Sequence, residues 1–252
     1  MNADRPPQNI YDDPRFFAGY SRLDRFGPGW TEAFEHPAFM ALLPDVRERR
    51  VLDLGCGMGQ LAFHLAEAGA AKVIGVDISE RMLGLATTER SHPRVTYLRE
   101  ALETVAFPPD RFDLVVSSLA FHYVEDYGGL VRRIAGWLAP GGVLVYSTEH
   151  PIYTAGDRST ANGWMFDGDG RRLHWAVDNY AEEGLREQHS FTDGVQKYHR
   201  MMATLLNGLI DAGFSLERVV EPVPDDDALQ RHPNFAEERR RPTFLLVRAR
   251  RP

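Results

Sequence analysis

Val51-Leu52-Asp53-Leu54-Gly55-Cys56-Gly57-Met58-Gly59-Gln60 is the stretch that decides how this chain is read. Residues 51–54 form an apolar run of strand length, and Leu61, Ala62, Leu65 and Ala66 then recur at helical spacing as far as Gly69. Between them lie glycines at alternate positions, which let the backbone turn tightly and approach a ligand closely. In a doubly wound sheet such a strand-to-helix turn lies where ligands bind, beyond the carboxyl ends of the strands. The glycines alone leave the ligand open. A dinucleotide loop has the form Gly-x-Gly-x-x-Gly. Read from Gly55 the sixth residue is Gln60, and read from Gly57 it is Ala62, which some variants tolerate. Asp53 says more, because a carboxylate just before the loop repels a pyrophosphate and favours a ligand carrying positive charge.

Outward from this loop, short apolar runs alternate with amphipathic stretches. Strands are expected at 73–76, 95–98, 114–118, 143–147, 216–220 and 244–247. Ser79 is expected to cap a helix carrying Met82 and Ala86. Leu130, Ile134 and Leu138 mark another helix, and Met202, Leu205, Leu206, Leu209 and Ile210 mark a third that ends at Gly213 and is opened by His199-Arg200. Upstream, Asp13-Pro14 resembles a helix start followed by Phe16, Phe17 and Tyr20. Gly27-Pro28-Gly29 breaks that helix, and a second one through Phe34, Ala38 and Leu42 stops at Pro44. This rhythm predicts an α/β fold: a Rossmann-like, doubly wound, mostly parallel sheet of seven strands. Residues 148–195 interrupt it with Trp164, Phe166, Trp175 and Tyr180, and a hairpin is expected around Gly168-Asp169-Gly170. The expected organisation is one domain over 1–252. It comprises an N-terminal helical cap (1–50), a cofactor-binding core (51–147), a substrate-cover insertion (148–195) and a C-terminal helix with strands (196–252).

Composition narrows the function classes. The 252 residues carry 43% hydrophobic and 26% charged side chains, ordinary for a soluble globular protein. The formal net charge of −7 argues against a nucleic-acid partner, and the local runs Arg239-Arg240-Arg241 and Arg248, Arg250, Arg251 read as a solvated face beside a strand. No apolar run approaches the roughly 20 residues that span a bilayer, and the N-terminus lacks the apolar region of a secretory signal. With Cys56 as the single cysteine, no intrachain disulfide forms, and a reducing cytoplasmic location is expected. His36, His64, His92, His174, His189 and His232 show no metal-ligand spacing, so no metal is expected.

Asp77 ends the second expected strand, where a carboxylate can accept hydrogen bonds from both hydroxyls of a ribose. Asp53, the alternate glycines and Asp77 together select a ligand with a ribose and an ammonium or sulfonium group, a description that S-adenosyl-L-methionine meets. The motifs also resemble class I S-adenosylmethionine-dependent methyltransferases. Residues 51–59 are similar to that family's first motif, and Asp77 in Gly75-Val76-Asp77-Ile78-Ser79 to its ribose-binding acid. Phe112-Asp113-Leu114-Val115-Val116-Ser117-Ser118 is similar to its fourth-strand motif, and Leu138-Ala139-Pro140-Gly141-Gly142 to the turn before strand five. One departure stands at the end of strand three, where the family's Asp-Ala is Glu100-Ala101. Most of the chain resembles a broad bacterial subgroup of small methyltransferases. The stretches that carry this likeness are residues 11–17, 117–123 and 149–155 and Lys197-Tyr198-His199-Arg200.

The resemblance implies an antiparallel last strand, S-adenosyl-L-methionine as cofactor and S-adenosyl-L-homocysteine as product. The candidate cofactor contacts are Asp53, Gly55, Cys56, Gly57, Gly59, Asp77, Ile78, Met82, Glu100, Ala101, Ser117 and Ser118. Methyl transfer is an in-line displacement that needs an aligned nucleophile and, where that nucleophile is protonated, a base. His122, His150 and His199 are the candidate bases. Tyr20, Tyr123, Glu149 and Arg200 are candidate substrate contacts, Arg200 as a carboxylate anchor at a helix start. The expected reaction is methylation of oxygen or nitrogen on a small-molecule metabolite by a monomer or homodimer with no membrane or nucleic-acid partner. The alternatives are transfer of another group from the same cofactor, methylation of RNA or protein, and a non-catalytic binding module.

Overall fold

The computed structural model describes residues 6–20, 34–156 and 163–252. The helix break expected at Gly27-Pro28-Gly29 lies outside the described residues. A short turn at Ile10–Asp12 leads into α1 (Pro14–Tyr20), whose entry is tied by the Asp13 carboxylate accepting the backbone N–H of Arg15 and of Phe16. α2 (His36–Leu42) precedes Pro44, as expected.

The strand-to-helix alternation then appears where the apolar periodicity predicts it. β1 (Arg50–Leu54) leads to α3 (Gln60–Glu67), β2 (Lys72–Asp77) to α4 (Glu80–Glu89), and β3 (Val95–Arg99) follows. β4 (Phe112–Ser118) leads to α5 (Tyr127–Trp137), and β5 (Leu138–Glu149) starts earlier than expected, pairing Leu138 with Phe112 before its Gly141-Gly142 segment. Caps fix the helix starts: Ser79 Oγ accepts the Met82 N–H at 3.1 Å, and Asp126 accepts the Gly129 N–H at 2.8 Å.

After β5 comes α6 (Pro151–Thr154), and then two hairpins. β6 (Trp164–Phe166) pairs with β7 (Arg172–Trp175) around the expected Gly-Asp-Gly turn, and β8 (Gly184–Ser190) pairs with β9 (Thr192–His199). α7 (Met202–Asp211), β10 (Ser215–Val220), α8 (Asp226–Arg231) and β11 (Phe244–Arg250) complete the order. The helix start expected at His199-Arg200 is corrected: His199 ends β9 and the helix begins at Met202, so the insertion's second hairpin runs past residue 195. The paired β strand takes His199 because its backbone bonds across to Gly184.

The central sheet has seven strands in the order β10-β11-β5-β4-β1-β2-β3, and β11 is antiparallel to both neighbours while the others run parallel. Alternate strand residues feed two cores. Leu52, Leu54, Val115, Leu144 and Tyr146 pack under α5 and α7 on one face. Val51, Val73, Leu114, Val116 and Val145 pack under α2 and α3 on the other. Burial of each such aliphatic side chain contributes about 1.5–3 kcal/mol, which is why the strands read as continuous apolar runs. β1 sits between β4 and β2, so the strand order reverses there and a crevice opens at the carboxyl ends.

Not all of the arginine run near residue 240 is solvated, as the sequence had suggested. Arg241 is buried, pairs with Glu238 at 2.9 Å and stacks 4.3 Å from the Trp175 ring centre, which fastens the first hairpin to the start of β11. Arg248 and Arg250 share Glu217, and Arg251 reaches Asp110 at 2.5 Å.

Candidate active site

The glycine loop folds over the end of β2. Gly55 and Cys56 both donate their N–H groups to the Val76 carbonyl, at 2.8 and 3.0 Å. Gly55 has φ +73°, and a Cβ built there would lie 2.4 Å from the Cβ of Ala120, so both its conformation and its space demand glycine. Gly57, at φ +53°, differs: a Cβ there would meet nothing within 4 Å. It faces open space, and the backbone forms one wall of a cradle.

Asp77 closes the loop from below. Its Oδ2 accepts the Gly57 N–H at 2.9 Å and its Oδ1 accepts the Ser79 N–H at 2.9 Å. Burial raises its pKa, with the backbone donors opposing that shift. Each oxygen keeps a second lone pair for a ligand hydroxyl.

A cavity with about 100 Å³ of space open to water lies above these residues. Gly55, Gly57, Asp77, Ile78, Met82 and Ser118 line it, all predicted from sequence. Leu102, Glu103, Leu119, Ala120 and Val124 also line it and were not predicted. The turn after β3 brings Glu103 to the cavity. Glu100, the expected acid, is exposed and accepts the Thr104 hydroxyl at 2.6 Å, and its neighbour Ala101 is not part of the lining. A glutamate three residues further on carried no motif signal.

Four candidate cofactor residues support the loop from beneath. Asp53 is buried with Oδ2 unpartnered. Burial and the nearby Asp77 charge push its pKa up to about 7, against an opposing Ala62 backbone hydrogen bond. Cys56 is buried, and burial pushes its thiol well above the usual range. Ser117 donates to the Leu54 carbonyl at 2.7 Å, tying β4 to β1. The backbone of Gly59, at φ +77°, turns the chain into α3 against the Tyr97 phenol. Ser118 reaches back to the buried Glu35 at 3.3 Å, a contact that no local pattern announces.

The N-terminal strap roofs the cavity. Gln8, Ile10, Tyr11 and Tyr20 line it, facing Tyr123. Three ties hold the strap down. The Asp12 carboxylate takes the Ser79 hydroxyl at 2.5 Å and the Arg81 and Glu80 N–H groups at the start of α4. Burial raises the Asp12 pKa, but these donors outweigh it and hold the group below its ordinary value. The Tyr11 and Tyr123 hydroxyls lie 3.2 Å apart. Gln8 exchanges two hydrogen bonds with the Gln196 backbone, at 3.1 and 2.7 Å.

The three candidate bases do not gather. His122 is buried behind Tyr123, with ring centres 4.3 Å apart, and lies outside the cavity lining. His150 is buried; its Nδ1 accepts the Ile152 N–H at 3.1 Å and its Nε2 meets Glu221 at 2.7 Å. Burial lowers its pKa, opposed by Glu221. His199 meets the Tyr180 carbonyl at 2.9 Å and the Thr154 hydroxyl at 2.6 Å, and burial lowers its pKa too. A carbonyl only accepts, so Nε2 carries the proton and Nδ1 takes the hydroxyl.

Arg200 donates to the carbonyls of Val124 and Glu125 and stacks over Tyr127 at 5.4 Å, and it lies away from the glycine-loop cavity. With His199 it lines a different cavity, beside Glu125 and Glu183. Glu149 forms a buried ion pair with Lys197, a residue the sequence reading gave no role.

A doubly wound sheet whose glycine loop and strand-two acid face one half-open cavity at the strands' carboxyl ends is the architecture of a nucleotide-cofactor-binding domain. The comparisons name its class. The methyltransferase-domain family model matches residues 51–142. A Haemophilus influenzae protein described only as uncharacterised is 35% identical over 249 residues, spanning 96% of this chain and 97% of that one. The solved S-adenosylmethionine-dependent methyltransferase from Mesorhizobium loti is 46% identical, with a TM-score of 0.79 over 86% of this chain and 97% of that one. A Listeria monocytogenes structure described as a candidate enzyme of the same kind is 38% identical, with a TM-score of 0.81 over 86% and 96% of the two chains. The chain belongs to the S-adenosylmethionine-dependent methyltransferase family. The open face of Gly57 and the remaining acceptor capacity of Asp77, both on the same cavity, fit the cofactor that this family implies.

Proposed function

We propose that this methyltransferase acts on an oxygen or nitrogen of a small-molecule metabolite. The observation that carries the reading is the roof of Tyr11 and Tyr20, facing Tyr123 across the same cavity as the glycine loop and Asp77. Such a roof suits a small acceptor better than a polymer. In this reading Asp77 holds the ribose hydroxyls and the Gly55–Gly57 backbone cradles the amino-acid end. Leu102 and Glu103 lie against the base, and the tyrosines and Val124 exclude water around the acceptor. The bound cofactor supplies an electrophilic methyl whose leaving thioether needs neither acid nor metal. Alignment alone is worth roughly 7–11 kcal/mol, so this chain's contribution is mainly positional. The ring nitrogens of His150 and His199 are held by protein partners, which favours alignment over base catalysis by either.

The reading extends to one domain over 1–252, acting in the cytoplasm as a monomer or homodimer without metal or nucleic acid. Among the described residues no helix is long and apolar enough to cross a membrane, and no group of three or more His, Cys, Asp or Glu side chains is arranged to hold a metal ion. The test is incubation with methyl-labelled cofactor across hydroxyl- and amine-bearing metabolites. Label on a small product supports the reading. Label retained on the nucleotide while another group moves, or label on RNA or protein alone, overturns it.

A further inference from the structure

Asp12 belongs to the strap, yet it completes the start of α4, a helix whose cap residue lies 67 positions further along the chain. One carboxylate oxygen accepts the Ser79 hydroxyl at 2.5 Å and the Arg81 N–H at 3.0 Å. The other accepts the Glu80 N–H at 3.2 Å and the Asn9 side-chain amide at 2.6 Å. A helix start leaves backbone N–H groups without partners inside the helix, and its dipole favours a negative charge there. Ser79 serves one of those donors from within the helix's own sequence, through the Met82 N–H, and Asp12 serves two more from outside it. Arg81 adds a second tie, its guanidinium 5.0 Å over the Phe17 ring of α1.

The strap also has a small aromatic core of its own. Tyr11 packs edge-on against Phe16 and Tyr20, with ring centres 5.1 and 5.0 Å apart, and Phe16 stacks on Tyr20 at 6.0 Å. Its hold on the rest of the protein is different in kind. No residue of the Ile10–Asp12 turn is buried, and in α1 only Phe16 is. The far end is clamped by Phe191 at the tip of the second hairpin. That ring meets Phe16 at 5.6 Å and covers Gly19 so closely that a Cβ there would lie 2.4 Å from it. An element docked through few buried apolar groups and several hydrogen bonds opens at a small cost compared with global unfolding. This one roofs the cavity that has Gly55, Gly57 and Asp77 in its walls.

We propose that Asp12 is a positioning residue that latches the strap across the cavity, and that this latch sets the rate at which the cofactor enters and leaves. The inference rests on the methyltransferase reading of the cavity. Such a latch has a kinetic signature. A strap in place bars the way in and the way out alike, so weakening its latch raises both rates and moves affinity little. Damage to the ribose acid has another signature. The Ser79 N–H is bonded to Asp77, so an effect passed through Ser79 raises the dissociation rate alone and weakens affinity in proportion.

The experiment uses the full chain with S-adenosyl-L-homocysteine as the probe, its association and dissociation rates followed by stopped-flow fluorescence. Asp12→Ala is expected to raise both rates by about tenfold, the low end for losing a charge-assisted hydrogen bond, with affinity staying within about threefold of wild type. Asp12→Asn keeps one acceptor oxygen and is expected to fall between the two. Neither Asp12 nor Phe191 lines the cavity, so neither change removes a wall of the site. Phe191→Ala loosens the far end of the strap without touching α4, and it is expected to raise both rates as well. Where the Asp12 variants do not fold, Phe191→Ala decides, and wild-type rates in it overturn the proposal. Wild-type rates in a folded Asp12→Ala overturn it too, as does a faster dissociation with unchanged association. Failure of the wild type to bind S-adenosyl-L-homocysteine overturns the functional reading itself, and this proposal with it.

Discussion

The Asp77 carboxylate accepts the Gly57 backbone N–H at 2.9 Å through one oxygen and the Ser79 N–H at 2.9 Å through the other. One side chain thus shapes the glycine loop and the entry to α4, and it does so from the floor of the cavity.

Asp77→Ala is therefore expected to reduce affinity for S-adenosyl-L-methionine by about 10- to 150-fold, the range for losing a charge-assisted hydrogen bond. Asp77→Asn keeps the shape and one acceptor, and is expected to lose less. Calorimetric titration of both variants checks the order.

Gly55→Ala and Gly57→Ala are expected to fail differently. At Gly55 the new Cβ collides with Ala120 at 2.4 Å as well as straining a positive φ, so a stability loss of roughly 2–5 kcal/mol is expected. At Gly57 there is space, so the loss is confined to backbone strain of roughly 1–3 kcal/mol, while the methyl group enters the cradle and weakens cofactor binding. Denaturant melts with parallel cofactor titrations separate the two. Equal stability losses with unchanged cofactor affinity in Gly57→Ala would contradict the cradle.

Asp53 makes stability depend on pH. Its folded pKa is raised to about 7, first by burial and then by Asp77. The unfolded chain releases this proton at a lower pH than the folded one does. The group's contribution is thus fully present below the unfolded value of 3.8 and is lost as pH rises through about 7. Asp53→Asn is expected to flatten that decline and to raise the melting temperature at pH 8 by roughly 2–4 °C. Melting curves across pH 5–8 decide; an identical slope in the variant would contradict the buried-proton account.

His150→Ala is expected to cost roughly 1–2 kcal/mol of stability, because the imidazole caps α6 through the Ile152 N–H and meets Glu221. Turnover per folded molecule is expected to stay near wild type. A large fall in kcat with unchanged stability would return this histidine to the chemistry.

The framework was legible because it rests on local patterns. Apolar runs covered on both faces mark β1, β2, β4 and β5, helical stripes mark the helices after β1, β2 and β4, a glycine-to-helix turn follows β1, and Asp77 sits at a strand end. The acceptor side was not legible, because it is assembled from long-range contacts. Nothing near Gln8 announces Gln196, and nothing near Tyr11 announces Tyr123. The same holds for His199: its sequence neighbourhood looked like a helix start, but pairing with Gly184 across a hairpin made it strand. Glu103 displaced Glu100 at the cavity because the turn after β3 sets which side chain faces inward, and that rotation has no sequence period.

The most direct test of the account is titration of S-adenosyl-L-methionine into the wild type and Asp77→Ala, followed by single turnover of methyl-labelled cofactor with an accepted metabolite. The account predicts one cofactor per wild-type chain, binding lost by at least about tenfold in the variant, and label transferred to the small molecule. Equal cofactor affinity in both proteins, or label that never leaves the nucleotide, would contradict it.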